Sequence, residues 1–173
     1  DCCTHGLFLC MKYLNASGTI TVPSKTYTSV PMYVLHAGCQ LKFEDKPWFS
    51  KYQLKPYPIW DCALQFSEGM YEKDFEVLSF QIKKTLPIGR GGMILTNDEK
   101  AYRWFKKACY DGRDLKAKYD EDDFEVLGYH FYMTPEDAAR GLLLFEGVSK
   151  INEPCIKDPY NHYSDLTTKT IFN

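Results

Sequence analysis

The sequence has little that would tie it to a nucleic acid, to a membrane or to an oxidising compartment. Acidic and basic side chains nearly balance, with a net charge of −2 over 173 residues, so a basic footprint for nucleic acid is absent. No apolar run approaches the roughly 20 residues of a membrane-spanning helix, and no signal peptide is visible. The seven cysteines are odd in number and include no Cys-x-x-Cys pair, which favours a reduced chain in the cytoplasm.

Three residues near the start could ligate a metal by residue type alone: Cys2, Cys3 and His5. A structural zinc site needs a second pair of ligands at suitable spacing, and none follows. We therefore predict no metal site and interpret these cysteines as small buried residues of the first helix.

Helical and strand patterns alternate along the chain. Helices are predicted over residues 4–14, with Thr4 as N-cap, over 30–37, over 97–111 and from Thr134 onward. Strands are predicted over residues 19–22, 40–43, 58–61, 77–80 and 93–95. Such alternation indicates an α/β fold with a mostly parallel sheet.

The remaining segments are predicted to be connections. Residues 46–58 hold three prolines and are expected to form a surface connection, and the charged residues 112–125 a solvated loop. The helix after Thr134 would bury one shared face, made of Ala138, Leu142, Phe145 and Val148. We expect one large domain over residues 1–150 and a tail of little periodicity over 151–173.

The most informative stretch is the glycine-bounded turn that follows the strand at 77–80. It carries Lys83 and Lys84, and it ends in three glycines before the next strand. A lysine so placed is well suited to form a Schiff base with pyridoxal phosphate (PLP). Upstream, the strand at 58–61 ends in Asp61, and a PLP enzyme needs a carboxylate to keep the pyridine nitrogen protonated.

Several short motifs share their order and spacing with one known family. They are Val22-Pro-Ser-Lys-Thr-Tyr-Thr28, His36-Ala-Gly38, Asp61-Cys-Ala63, Ser79-Phe-Gln-Ile-Lys-Lys84, Gly89-Arg-Gly-Gly92, Asp111-Gly-Arg113 and Gly128-Tyr-His-Phe-Tyr-Met133. Together they resemble the DegT/DnrJ/EryC1/StrS family of PLP-dependent sugar aminotransferases. The resemblance implies the large domain of a three-layer, fold-type I PLP transferase. The chain is short for this family, so we expect the small C-terminal domain to be largely absent.

The resemblance also implies roles for individual residues. The family has a serine five residues before its Schiff-base lysine, which selects Lys84 over Lys83 and makes Ser79 a phosphate ligand. Asp61 would face the pyridine nitrogen, and Tyr27 would stack on the cofactor ring. Thr4 and His5 fall where a turn at a helix start binds the phosphate, in keeping with the anion affinity of helix N-termini.

Two positions depart from the family pattern. Three residues after the aspartate the family has Gln or His near the phenolic oxygen of the cofactor, whereas this chain has Leu64, with Gln65 one place later. Where the family has Asn-x-Arg after Gly-Tyr, this chain has His130 and Tyr132. His130 could replace the asparagine, which reaches the phosphate in the neighbouring subunit.

The implied activity is amino transfer, with glutamate as donor, to a nucleotide-linked keto sugar, in a homodimer with shared active sites. A PLP-dependent sugar dehydratase is a second possibility, but such relatives carry histidine in place of the lysine, so Lys84 argues against it. A reduced, non-catalytic scaffold that keeps the fold is the third.

Overall fold

The computed structural model describes residues 1–173 and shows an α/β architecture. The elements, in chain order, are helix α1 (Cys3–Tyr13), strand β1 (Thr19–Pro23), α2 (Ser29–His36), β2 (Gln40–Glu44), β3 (Tyr52–Gln53), β4 (Ile59–Asp61), β5 (Phe75–Ser79), β6 (Gly92–Leu95), α3 (Glu99–Ala108), α4 (Pro135–Phe145) and α5 (Pro159–His162). Single 3₁₀ turns lie at Tyr119–Glu121, Leu166–Thr168 and Thr170–Phe172. None of the helices combines the length and the apolarity that a bilayer crossing demands.

The strands form a parallel pair, β1–β2, and a four-stranded sheet in the order β3-β4-β5-β6. Within the larger sheet β4 and β5 are parallel, whereas the outer strands β3 and β6 pair antiparallel. Backbone hydrogen bonds in both directions between Thr21 and Lys55, of 2.8 and 3.1 Å, join β1 to the turn after β3. The outer pairings are antiparallel because antiparallel strands can be joined without a crossover.

Helix α1 lies at the centre of the core and packs against β4, β5, β6, α2 and α3. Leu7, Cys10 and Met11 are almost fully buried, together with Ile20 and Val77 on the strands below them. A second, smaller cluster forms around Leu78 of β5 and three residues of the segment between β5 and β6, Phe80, Leu86 and Ile88. Most residues of α1 are buried, and the helix exposes almost no polar face. The core is therefore built around this one helix.

Two predicted N-caps have different outcomes. Thr134 caps α4 as predicted, because its Oγ1 accepts a hydrogen bond from the backbone N–H of Asp137 at 3.2 Å. The prediction for Thr4 is wrong, since α1 begins one residue earlier and Cys2 occupies the cap position, with its Sγ accepting from His5 N at 3.4 Å. The Thr4 hydroxyl is instead 2.7 Å from that of Ser29, and the two share a hydrogen bond.

Two predictions about burial are also wrong. Residues 46–58 are not only a surface connection, because they contain β3, and Tyr52 and Leu54 are buried there. The predicted face of α4 is largely exposed, with 71% of Leu142 and 55% of Phe145 accessible. The helix packs through Gly141 instead, where an added Cβ would lie 2.6 Å from Ile88 Cδ1. The charged segment 112–125 is mostly exposed, as predicted.

The tail folds back over the ends of the strands. Cys155 N donates to Leu64 O at 3.1 Å, and Leu166 N donates to Ser24 O at 2.8 Å. The side chain of Leu166 is buried. The tail is therefore packed onto the domain, which its lack of periodicity did not indicate.

The close approach of α1 to β5 gives a first prediction. A Cβ added at Gly6 would lie 2.6 Å from Val77 Cγ1, and overpacking of this kind costs about 1–3 kcal/mol. We expect Gly6→Ala to lower the free energy of unfolding in urea, although alanine is the better helix former. In a Val77→Ala background, where the clashing methyl group is gone, Gly6→Ala should lower the free energy of unfolding by less than it does in the parent.

Gly147→Ala is the matched control, because the nearest atom to its added Cβ is 3.7 Å away. Its stability should change by no more than about 0.5 kcal/mol. Equal stability changes in Gly6→Ala and Gly147→Ala would contradict the proposed packing constraint.

Candidate active site

A single cavity of about 790 Å³ collects six of the eight predicted site residues: Thr4, His5, Tyr27, Asp61, Ser79 and Lys84. It lies where β4 and β5 end, at Asp61 and Ser79. Because these strands are parallel, their carboxyl ends share one edge of the sheet, the usual place for a ligand site in an α/β fold. The N-terminus of α1 borders the same space.

Asp61 is the buried anion of the site, with only 6% of the residue exposed. Its Oδ2 accepts a hydrogen bond from the hydroxyl of Tyr52 at 2.7 Å, and its Oδ1 accepts one from Ala63 N at 2.9 Å. It forms no ion pair within the chain. Burial raises the pKa of Asp61, while the two hydrogen bonds and the charge of Lys84 act in the opposite direction.

Tyr52 is a site residue that the sequence analysis missed. Its hydroxyl lies 2.6 Å from Thr26 Oγ1 as well as 2.7 Å from Asp61, and all three groups are buried. Thr26 can therefore orient the Tyr52 hydroxyl so that its proton points at the carboxylate. The alternation of polar and apolar residues over 51–54, Lys-Tyr-Gln-Leu, is typical of a strand and was the available signal.

The turn at the start of α1 supplies hydrogen-bond donors. The first N–H groups of a helix have no partner within it, and together with the helix dipole they favour an anion. The hydrogen-bonded hydroxyls of Thr4 and Ser29 lie beside this turn and line the cavity. Ser29 was not predicted, because nothing in its local sequence links it to Thr4.

Within this turn, the His5 ring is already engaged. Its Nδ1 lies 2.6 Å from the Asp1 carboxylate and its Nε2 lies 2.8 Å from the Tyr33 hydroxyl, while its ring stacks on Phe131 with centroids 3.6 Å apart. Burial, followed by the neighbouring positive charges, lowers the pKa of His5 to about 4. The neutral ring therefore anchors the start of α1.

Both candidate lysines line the cavity, but their environments differ. Lys83 is exposed, whereas Lys84 is half-buried and its charge lowers the pKa of Asp61. The turn that carries them is closed by the bonds Lys84 N to Gln81 O, of 2.8 Å, and Gly89 N to Phe80 O, of 3.1 Å. This difference in burial favours Lys84 as the functional amine.

The tail supplies part of the cavity wall, which the sequence analysis did not foresee. Its lining residues are Cys155, Ile156, His162 and Tyr163. Tyr27, the predicted stacking residue, lines the cavity and is 59% exposed. The tail residues are distant in sequence from every motif, so no local pattern could have placed them here.

Gln65 and His130 do not line the cavity. Gln65 follows the strand end in a turn, with its N–H donating to Cys62 O at 3.0 Å. The Nδ1 of His130 lies 2.9 Å from Asp111 Oδ2, and its Nε2 lies 3.0 Å from the Tyr132 hydroxyl. His130 was predicted to act on a neighbouring subunit, and that stays a prediction.

The residues present fit PLP. A buried carboxylate without a cation in contact suits the protonated pyridine nitrogen, a half-buried lysine suits the carbonyl, and a helix N-terminus with nearby hydroxyls suits the phosphate.

The three residues that could ligate a metal by residue type, Cys2, Cys3 and His5, do not form one group. Asp1, Cys2 and His5 are grouped within 4.8 Å, while Cys3 Sγ lies 3.9 Å from Asp61 Oδ1.

The comparisons with known proteins agree with this geometry. The sequence model of the DegT/DnrJ/EryC1/StrS aminotransferase family matches residues 68–163. GDP-perosamine synthase of Escherichia coli O157:H7 is 34% identical over 96 residues, which make up 52% of this chain and 26% of that protein. The chain thus spans about a quarter of this curated relative.

Solved structures show the fold. AtS13 from Actinomadura melliaura matches with a TM-score of 0.73 and 20% identity, over 84% of this chain and 53% of that one. DesI, solved in the presence of its TDP-sugar product, matches with a TM-score of 0.66 and 18% identity, over 84% and 47%. The chain therefore has the fold of about half of each of these proteins.

The burial of Asp61 gives a prediction for the cofactor-free protein. Because its pKa is raised on folding, the folded state binds more protons than the unfolded state above the unfolded pKa of about 3.9. This stabilising contribution is present at lower pH and is lost as the pH rises through the folded pKa. We expect Asp61→Asn, which does not titrate, to gain stability relative to the parent as the pH rises above about 4, measured by urea unfolding.

The same variant tests the expected contact of Asp61 with the pyridine nitrogen, because loss of the carboxylate should then weaken PLP binding. Asp120→Asn is the matched control, because Asp120 is exposed. If the stability difference between Asp61→Asn and the parent does not vary with pH, the pKa of Asp61 is not raised by folding and the prediction is wrong.

Proposed function

Because this chain belongs to the DegT/DnrJ/EryC1/StrS family of PLP-dependent sugar aminotransferases, we propose that it binds pyridoxal 5'-phosphate and aminates a nucleotide-linked keto-deoxysugar, with glutamate as the amino donor. The observation that carries the proposal is the meeting of Asp61, Lys84 and the start of α1 around one cavity of about 790 Å³. These three features come from distant parts of the chain, and their chemistry matches three different parts of the cofactor.

In this proposal, bound PLP supplies an electron sink that stabilises negative charge at the carbon bearing the amino group. Lys84 would hold the cofactor through its Nζ, and its free amine would move the proton between substrate and cofactor carbons. Asp61 keeps the proton on the pyridine nitrogen, and its burial strengthens that attraction because the local dielectric is low. Tyr52 keeps the carboxylate in position for this contact.

The phosphate would be held by Ser79 and by the turn at the start of α1. The hydroxyls of Ser79, Thr4 and Ser29 line the cavity and can donate to phosphate oxygens. His5 would support the turn through its contacts with Tyr33 and Phe131. We retain Tyr27 as the residue that packs on the ring, and Gln65 as a less direct neighbour of the cofactor.

The substrate class rests on the relatives. One is named for GDP-perosamine and another was solved with a TDP-sugar product, so both names point to sugars carried on a nucleoside diphosphate. The free state of all seven cysteines supports a cytoplasmic location.

A second candidate is a non-catalytic PLP-fold scaffold or regulatory protein. One observation favours it: Leu64, at the position where the family pattern has Gln or His, is 2% exposed and packs in the interior, and Gln65 does not line the cavity. A scaffold with bound PLP would be coloured, but its absorption would not respond to glutamate.

The lysine assignment can be tested together with the activity. After incubation with PLP and reduction by borohydride, mass spectrometry should find the cofactor on Lys84. Lys84→Ala should abolish the adduct, and the matched variant Lys83→Ala should retain it. Adding glutamate to the unreduced protein should bleach the visible band, and a nucleotide-linked keto sugar should restore it.

The outcomes separate the two candidates. A reducible adduct on Lys84 with a band inert to glutamate would indicate the scaffold. An adduct that Lys83→Ala abolishes and Lys84→Ala does not would show that the assignment within the turn is wrong.

We also propose a homodimer in which residues 128–133 of one subunit approach the cofactor site of the other. Large apolar side chains remain exposed in the single chain, including Leu127 at 85% and Leu143 at 72%, as expected of a surface that a second subunit covers. His130 is exposed, and both of its ring nitrogens are hydrogen-bonded to side chains of its own chain, so a contact with the partner's phosphate would replace one of these bonds.

Binding of PLP should therefore stabilise the dimer, since a ligand that binds only the dimer favours it by mass action. Sedimentation at micromolar concentration should show a larger dimer fraction with PLP than without it. His130→Ala should weaken PLP retention on dilution more than Asp120→Asn, whose exposed side chain does not line the cavity. A monomer with stoichiometric PLP would refute the shared site.

A further inference from the structure

The tail crosses the mouth of the cavity between two fixed points. Cys155 N is bonded to Leu64 O, three residues after Asp61, and Leu166 N is bonded to Ser24 O, just after β1. Both anchor points follow strands that end at the cavity edge. The chain between them is held against the site by backbone hydrogen bonds at each end, so its side chains have defined positions.

The ring of Tyr163, in the tail, is held by an aromatic neighbour. It stacks on Trp48, with ring centroids 6.1 Å apart and planes 12° from parallel. Trp48 is itself fixed, because its Nε1 donates to Lys25 O at 2.8 Å and its ring packs edge-on against Tyr52 at 4.7 Å. A chain of aromatic contacts therefore runs from Tyr163 to Tyr52, the residue that holds Asp61.

The hydroxyl of Tyr163 has no hydrogen-bond partner in the chain, although the residue is half-buried and lines the cavity. The tail's other tyrosine, Tyr160, donates to Asp45 Oδ1 at 2.5 Å. Because no other group of the chain engages it, the Tyr163 hydroxyl is available to a ligand in the cavity.

The protonation state of this hydroxyl is clear. Burial, followed by the negative charge of Asp61, raises the pKa of Tyr163 to about 12. Near neutral pH the group therefore keeps its proton and can donate. The best acceptor for a phenolic O–H is an anionic oxygen, because charge-assisted hydrogen bonds are the stronger ones.

We propose that Tyr163 donates a hydrogen bond to the phenolic oxygen of the cofactor bound between Asp61 and Lys84. Tyr163 would thus supply a donor that the residues around Asp61 do not, since Leu64 is apolar and Gln65 lies outside the cavity. The inference rests on the proposed function, because the acceptor oxygen belongs to PLP. It gives the tail a role in cofactor binding.

Tyr163→Phe tests the proposal, since it removes the hydroxyl and keeps the ring that stacks on Trp48. We expect PLP to bind about tenfold more weakly, as the loss of one charge-assisted hydrogen bond implies. We also expect the pH midpoint of the visible absorption change of bound PLP to shift relative to the parent. The thermal midpoint of the cofactor-free protein should stay the same, because the lost hydroxyl has no partner in the chain.

Tyr160→Phe is the matched control, because Tyr160 is on the same tail but does not line the cavity. It should leave PLP affinity and the absorption midpoint unchanged, even if it loosens the tail. Unchanged affinity and spectrum in Tyr163→Phe, or equal effects in Tyr160→Phe, would overturn the proposal. If the parent binds no PLP at all, the proposed function itself has failed, which is a separate result.

Discussion

The structure depends on how closely the start of α1 can approach the sheet. Gly6 allows this on one side, because any larger residue would meet Val77, and Gly92 allows it on the other, because an added Cβ would lie 2.5 Å from the backbone of Cys2. The close packing buries α1 in the core. It also brings the helix N-terminus to the strand ends, with Cys3 Sγ only 3.7 Å from Val77 O, so the constraint that organises the core also builds the site.

Electrostatics give that site its character. A buried carboxylate at Asp61 is unfavourable on its own, which is why its pKa is raised. The hydrogen bonds from Tyr52 and Ala63 and the nearby charge of Lys84 offset part of this cost, and a cationic ligand would offset more. The opposite end of the cavity, at the start of α1, has the positive potential that suits a phosphate. The cavity is thus polarised before any ligand enters.

Two segments of the chain bring tyrosines to the site around Asp61. The short strand β3 places Tyr52 against Asp61, and the tail places Tyr163 on the facing wall. Both are joined through Trp48.

The sequence by itself indicated whatever depends on near neighbours in the chain. Alternating helix and strand patterns predicted the α/β fold, and Thr134 was recognised as a cap. Asp61 was singled out because it ends a strand and the Lys83–Lys84 pair because it lies in the turn after one, while the family resemblance selected Lys84 of the two. Residues that end parallel strands share one edge of the sheet, so their meeting could be anticipated from position alone.

Tertiary structure decided the rest. The N-cap of α1 is Cys2 and not Thr4, and the face of α4 that contains Leu142 is exposed and not buried. Tyr52, Ser29 and Tyr163 belong to the site although no sequence motif indicated them. Each of these depends on contacts between residues far apart in sequence, whose energy comes from burial and hydrogen bonding in the folded chain. A local pattern records which residues can form a helix or a strand, but only the packed fold determines which surfaces of those elements meet.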